Sequence, residues 1–268
     1  MKLELLGRHL QSLGKVLLGY SGGVDSALLA VAGIGALGTD RFLAAIGRSP
    51  SYPEAQWRTA VDLADRFGVP LVELDTHEME DPRYLRNGTD RCYFCKSELW
   101  TRLDAMARER GFDTVIDGTN ADDLGEHRPG LRAGRETGIR SPLAELGWSK
   151  ADVRSAARAL DIPSWDNPAS PCISSRVRYG LEITAERLRQ VEAGEAFLRS
   201  LGVSGDLRVR HHGHRATVEV GAGEMLLLRE RWVAVNRYFA ELGLADVELD
   251  PHGYRRGRLL ALAPDEVG

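Results

Sequence analysis

Residues 15–26 read KVLLGYSGGVDS, and the reading of this stretch decides the fold. Lys15–Tyr20 is a short apolar run of strand length, and Asp25–Leu37 has the length and composition of a helix. Between them, Ser21-Gly22-Gly23-Val24-Asp25-Ser26 forms a loop suited to an anion. Two glycines let the backbone come close to a ligand, the helix start offers N–H groups without acceptors, and two serines add hydroxyl donors. The loop has no lysine, which the P-loop of kinases and GTPases needs, and it does not follow the G-x-G-x-x-G spacing of dinucleotide folds. Asp25 would repel phosphate unless Mg²⁺ stood between them, which makes it the metal-side residue. The alternative is a plain strand-to-helix turn.

Outward from this loop the alternation continues. Phe42–Gly47, Leu71–Asp75 and Thr114–Asp117 read as further strands. Helices are expected over Pro53–Gly68 (Ala60, Leu63, Ala64 and Phe67 on one stripe) and Cys95–Arg110. Strands alternating with helices imply βαβ units and a parallel sheet whose ligands sit beyond the carboxyl ends of the strands. The first 15 residues read as a surface helix. Residues 1–165 are thus expected to form a parallel-sheet α/β domain, and residues 166–182, WDNPASPCISSRVRYG in the main, a functional linker. Residues 183–268 then read as a small α+β domain. Its elements are a helix at Ala185–Leu201, strands at Leu207–His211 and Ala216–Val220, a helix at Glu224–Leu242 and a strand near Val247–Leu249.

The composition sets limits. With 35 basic and 39 acidic residues, the net charge of −4 gives no general reason to bind nucleic acid. No apolar run is long enough to span a membrane, and three cysteines are too few for a disulfide framework, so a reducing, cytoplasmic compartment is expected.

Those cysteines are the second signal. Cys92 and Cys95 lie in Asp90-Arg91-Cys92-Tyr93-Phe94-Cys95-Lys96, spaced so that both sulfurs face one way from a helix start. The helix start, Arg91 and Lys96 favour thiolates. Cys172 lies in Pro171-Cys172-Ile173-Ser174-Ser175-Arg176. Three thiolates can hold three irons of a [4Fe-4S] cluster and leave the fourth open. A Cys₃His zinc site completed by His77 or His127, a C-x-x-C disulfide and three unrelated cysteines are the alternatives.

In the small domain, Arg208 and Arg210 alternate on a strand and share a face, so their guanidiniums can clamp a carboxylate or phosphate. Ser175 and Arg176 suit the same job. His211, His212 and His214 read as polar turn residues.

The Ser21–Ser26 loop resembles the pyrophosphate loop of the PP-loop ATP pyrophosphatase family, whose fold is Rossmann-like (adenine nucleotide alpha-hydrolase-like). Joined to residues 117–130 (DGTNADDLGEHRPG), Ser141-Pro142-Leu143, Pro171–Arg176, Arg208-Val209-Arg210 and Gly253–Arg258, it resembles one branch in particular. That branch is the LarE family of ATP-dependent sulfur transferases, which make the nickel-pincer nucleotide cofactor. The resemblance covers nearly the whole chain.

The resemblance implies that ATP is bound by Ser21, Gly22, Gly23, Val24, Asp25 and Ser26, with Lys96 and Arg128 approaching the nucleotide. It implies that a carboxylate of pyridinium-3,5-dicarboxylate mononucleotide is adenylated and converted to a thiocarboxylate. Glu195 and Glu219 match acidic positions near the site and could orient the arginines. Cys172 matches the sulfur-bearing cysteine, which single-cysteine members consume. Cys92 and Cys95 make this chain similar to the variant whose three cysteines carry a [4Fe-4S] cluster with an extra sulfide as donor. A hexamer built as a trimer of dimers is implied as well. Other readings are a tRNA-thiolating PP-loop enzyme, an amide-forming synthetase, which would need no cysteine, and a nucleotide or iron–sulfur sensor without turnover.

Overall fold

The computed structural model describes residues 1–125, 129–167 and 172–255. Two compact units divide the chain: Met1–Glu78 with Cys92–Ser170, and Met79–Arg91 with Pro171–Gly268.

The elements of the first unit run α1 (Lys2–Ser12), β1 (Val16–Tyr20), α2 (Val24–Leu37), β2 (Phe42–Arg48), α3 (Glu54–Arg66) and β3 (Leu71–Asp75). The short α4 (Pro82–Leu85) belongs to the second unit. Then come α5 (Arg91–Arg110), β4 (Thr114–Ile116), α6 (Pro129–Glu136), α7 (Pro142–Glu145) and α8 (Lys150–Ala159). The four strands form one sheet in the order β3-β2-β1-β4, and every pairing is parallel. This is the expected α/β sheet.

Period-two alternation explains why both faces are covered. Val16, Leu18 and Tyr20 of β1 join a core with Leu28 of α2, Leu63 of α3 and Val153 of α8, while Leu17 joins Trp100, Leu103 and Val115 on the opposite face. Gly19 faces that second side, where a Cβ would lie 2.7 Å from the Trp100 ring, so only glycine lets α5 pack this close. The N-terminal helix does more than cover the surface. Leu6 and Leu10 are fully buried in the first core. Helix α5 starts at Arg91, four residues before the expected Cys95, so Cys92 and Cys95 both fall within its opening turns.

The second unit contains α9 (Ala185–Ser200), β5 (Leu207–His211), β6 (Arg215–Val220), α10 (Met225–Glu230), α11 (Trp232–Glu241) and β7 (Asp246–Leu249). Strand β6 is central, antiparallel to β5 and parallel to β7. Two expectations are corrected here. The single helix over Glu224–Leu242 is two helices separated at Arg231, although no glycine or proline breaks the sequence. Leu228 of one helix and Val235 and Phe239 of the other are each fully buried, and packing overrides local propensity. His211 is no polar turn residue: it ends β5, wholly buried, with Gln190 Oε1 2.8 Å from its Nε2.

No helix among the described residues is long and apolar enough to cross a membrane.

Candidate active site

The strand order places β1 between β2 and β4, so the chain leaves the sheet centre in opposite directions. The loops after β1 and β4 therefore flank the crevice where parallel sheets bind ligands. Ser21–Ser26 is the first of these loops. Gly23 is the N-cap of α2 and its side-chain-free cap leaves the first-turn N–H groups open to an acceptor. Gly22 has φ +68, and a Cβ there would lie 2.6 Å from Ala60 Cβ. The loop closes on itself: Ser21 N–H donates to Ser26 Oγ at 3.2 Å, and Ser26 Oγ donates to Gly23 O at 3.0 Å. Helix α3 and the loop before it hold it from outside, with Tyr52 Oη 2.8 Å and Gln56 Nε2 2.9 Å from Ser21 O. Burial raises the Tyr52 hydroxyl above the usual tyrosine range, so it stays a donor.

The loop after β4 brings the second component. Asn120, 2% exposed, donates through Nδ2 to Asp25 Oδ1 at 3.0 Å, and Lys150 Nζ lies 2.5 Å from Asp25 Oδ2. Asp122 organises both donors. Its N–H bonds Asn120 Oδ1 at 3.0 Å, and its Oδ2 accepts the Lys150 N–H at 2.8 Å. Nothing local in the sequence marks Lys150, a lysine at a helix start, as the partner of an aspartate 125 residues earlier.

Lys96, on α5, extends over the Trp100 ring with Nζ 4.8 Å from its centroid. Arg128 and His127 lie outside the described residues. None of the three cysteines is in a disulfide. Cys92 is exposed, and Cys95 and Cys172 are half-buried.

The remaining expected residues share one network within the second unit. Cys172 O accepts Ser175 Oγ at 2.7 Å and Arg176 Nη1 at 3.0 Å. Arg176, 2% exposed, also donates through Nε to Glu195 Oε1 at 3.0 Å. Glu195 Oε1 further accepts the Val209 N–H at 3.1 Å. Arg210 donates to Ser175 O at 3.1 Å and to Glu219 Oε2 at 3.0 and 3.1 Å. Arg208 stacks on Tyr254 at 5.1 Å, and burial, followed by repulsion from Arg176, pushes its guanidinium below the usual arginine range. Three buried guanidiniums, those of Arg176, Arg208 and Arg210, are gathered in this unit, and guanidiniums suit a carboxylate or phosphate.

That loop is held by a segment distant in sequence. Tyr84 Oη lies 2.6 Å from Ser174 Oγ, and Arg91 donates to Ser174 O at 2.9 Å. The buried Asn87 donates to Arg178 O and Leu181 O at 2.8 and 2.9 Å.

Among the described residues no three His, Cys, Asp or Glu side chains are gathered as a ready metal site. For Mg²⁺ this fits, because the ion is held by one or two carboxylates with substrate phosphates rather than by a protein cage, and Asp25 is such a carboxylate. For an iron–sulfur cluster the described residues supply two suitable donors, Cys92 and Cys95, one helical turn apart and outside any disulfide, with no third ligand gathered beside them.

The NAD synthase family model matches residues 5–103, which include the Ser21–Ser26 loop. An uncharacterised protein of Synechocystis sp. is 41% identical over 261 residues, 96% of both chains. The pyridinium-3,5-bisthiocarboxylic acid mononucleotide synthase of Lactiplantibacillus plantarum is 34% identical over 96% of this chain and 93% of its own. An uncharacterised protein of Methanocaldococcus jannaschii is 31% identical over 90% of this chain and 91% of its own.

Proposed function

This chain belongs to the LarE family of PP-loop enzymes, that of the pyridinium-3,5-bisthiocarboxylic acid mononucleotide synthase, and from that premise we propose that it is an ATP-dependent, AMP-forming sulfurtransferase. A carboxylate oxygen of pyridinium-3,5-dicarboxylate mononucleotide attacks the α-phosphorus of ATP, and pyrophosphate leaves. A sulfur nucleophile then adds to the activated carbonyl carbon, AMP leaves, and a thiocarboxylate remains. Carboxylates are poor electrophiles, and the acyl-adenylate supplies the leaving group that sulfur transfer needs.

In this reading Ser21–Ser26 cradles the phosphates of ATP, Asp25 faces Mg²⁺, and Lys96 and Arg128 neutralise developing charge on pyrophosphate. Arg176, Arg208 and Arg210, with Ser175, bind the anionic nucleotide, while Glu195 and Glu219 fix the guanidinium planes. The observation that supports the reading is the bonding of Arg176 to Cys172 O, Ser175 and Glu195 at once: the cysteine loop is anchored on a buried guanidinium.

Cys92, Cys95 and Cys172 would hold a [4Fe-4S] cluster, which supplies an open iron able to carry an extra sulfide. Support comes from the spacing of Cys92 and Cys95, which places both thiols in the opening turns of α5. The reading places the enzyme in the reducing cytoplasm as a hexamer, with no membrane or nucleic-acid partner.

The test is pyrophosphate release with ATP and the carboxylated pyridinium nucleotide, followed by mass analysis for sulfur in the product. Release that needs no pyridinium nucleotide, or a product without sulfur, overturns the proposal. Tight tRNA binding at physiological salt would favour a tRNA-thiolating enzyme instead.

A further inference from the structure

Lys150 stands where a helix disfavours a cation. It is the first residue of α8, directly after the Ser149 N-cap, at the positive end of the helix dipole. Its ammonium nonetheless reaches Asp25, which lies in the first turn of α2. The other Asp25 oxygen is held by Asn120, itself anchored by the N–H of Asp122. Only four of the 35 basic residues are lysines. A lysine here differs physically from an arginine: it is a compact single-point charge on a flexible stem, released from a carboxylate more readily than a bidentate guanidinium. Lys150 and Asp25 are 35% and 20% exposed, so incoming charge can reach the pair.

We infer that Lys150 is a removable counter-charge for Asp25, neutralising the carboxylate in the nucleotide-free loop and releasing it to the divalent ion that accompanies ATP. The inference rests on the ATP-binding reading of Ser21–Ser26. Without Lys150 or a metal, a bare carboxylate would face the polyphosphate. With Lys150 the pair is neutral, and with Mg²⁺ the ion takes over the neutralising role. Lys150 is therefore a positioning residue whose effect on nucleotide binding is greatest when no divalent ion is present.

The test titrates α,β-methylene-ATP into the full chain, once in EDTA and once in excess Mg²⁺. The chains compared are the parent, Lys150→Met, Lys150→Arg, and Lys150→Met combined with Asp25→Asn, each checked for folding by thermal melting. Lys150→Met should weaken binding about tenfold in EDTA and no more than about twofold in Mg²⁺. Lys150→Arg should keep metal-free binding. The double variant should restore it, because no carboxylate remains to be neutralised. Equal losses in both media, no loss in either, or a double variant that fails to restore binding overturns the inference. A parent that binds no nucleotide in either medium overturns the ATP reading as well, whereas a binding parent matched by Lys150→Met overturns this inference alone.

Discussion

Arg210 and Glu219 form a buried ion pair that runs diagonally between adjacent strands. In the register of β5 and β6, Glu219 lies opposite Arg208 and Arg210 opposite Thr217, yet Arg210 Nη2 meets Glu219 Oε2 at 3.0 Å. Glu219 is 1% exposed, and the same guanidinium bonds Ser175 O, so the pair links the sheet to the turn that follows Cys172. Glu219→Gln removes the counter-charge and leaves Arg210 buried. It should cost about 3–5 kcal/mol in urea unfolding. A loss below about 1 kcal/mol, the scale of a surface pair, would show that the pair does not hold the turn.

Asp25→Asn should lower pyrophosphate release by about a hundredfold or more, because a neutral amide holds a divalent ion poorly. Its melting temperature should stay close to the parent's, since the carboxylate is only partly buried and its ion pair with Lys150 is partly solvated. Undiminished release would remove Asp25 from the catalytic machinery.

The two glycines of the phosphate loop should respond differently to alanine. At Gly22 the added Cβ meets Ala60 at 2.6 Å with φ at +68, which should destabilise the fold by about 1–3 kcal/mol and weaken ATP binding. At Gly23 the nearest atom is Ser21 Oγ at 3.6 Å and φ is −70, so the stability change should stay within about 0.5 kcal/mol. Denaturant melts of the two variants check the contrast, and equal losses would contradict it.

Cys92→Ala and Cys95→Ala should each abolish the brown colour of anaerobically prepared protein. Cys172→Ala should block thiocarboxylate formation while pyrophosphate release persists. Iron and sulfide analysis provides the check, and four irons per chain retained in Cys92→Ala would refute the three-cysteine site.

His211 should make stability sensitive to acid. Burial, then repulsion from Arg187 and His212, lowers its pKa from 6.5 to about 4. Its Nδ1 accepts the Gly213 N–H at 3.2 Å, so the proton sits on Nε2 and meets Gln190, and the folded state needs the neutral ring. The unfolded chain takes up a proton below pH 6.5 while the folded one does not. The contribution is therefore full above pH 6.5 and lost as pH falls toward 4, by at most roughly 3 kcal/mol. Melting curves between pH 8 and 4.5 should show the decline, and His211→Asn should flatten it.

The sequence by itself determined the alternating parallel sheet, the loop at Ser21–Ser26 and the order of elements in the second unit. Each is written in a period of two or 3.6 residues or in a run of glycines, and such patterns act over a few neighbours. Tertiary structure alone decided that Lys150 and Asn120 meet Asp25. It also decided that Met79–Arg91 joins the second unit, that a helix without any breaker divides at Arg231, and that His211 enters a core. Those outcomes depend on which surfaces remain to be buried once the local elements exist. A lysine at a helix start reads the same whether it faces water or an aspartate brought from another helix, and only packing separates the two.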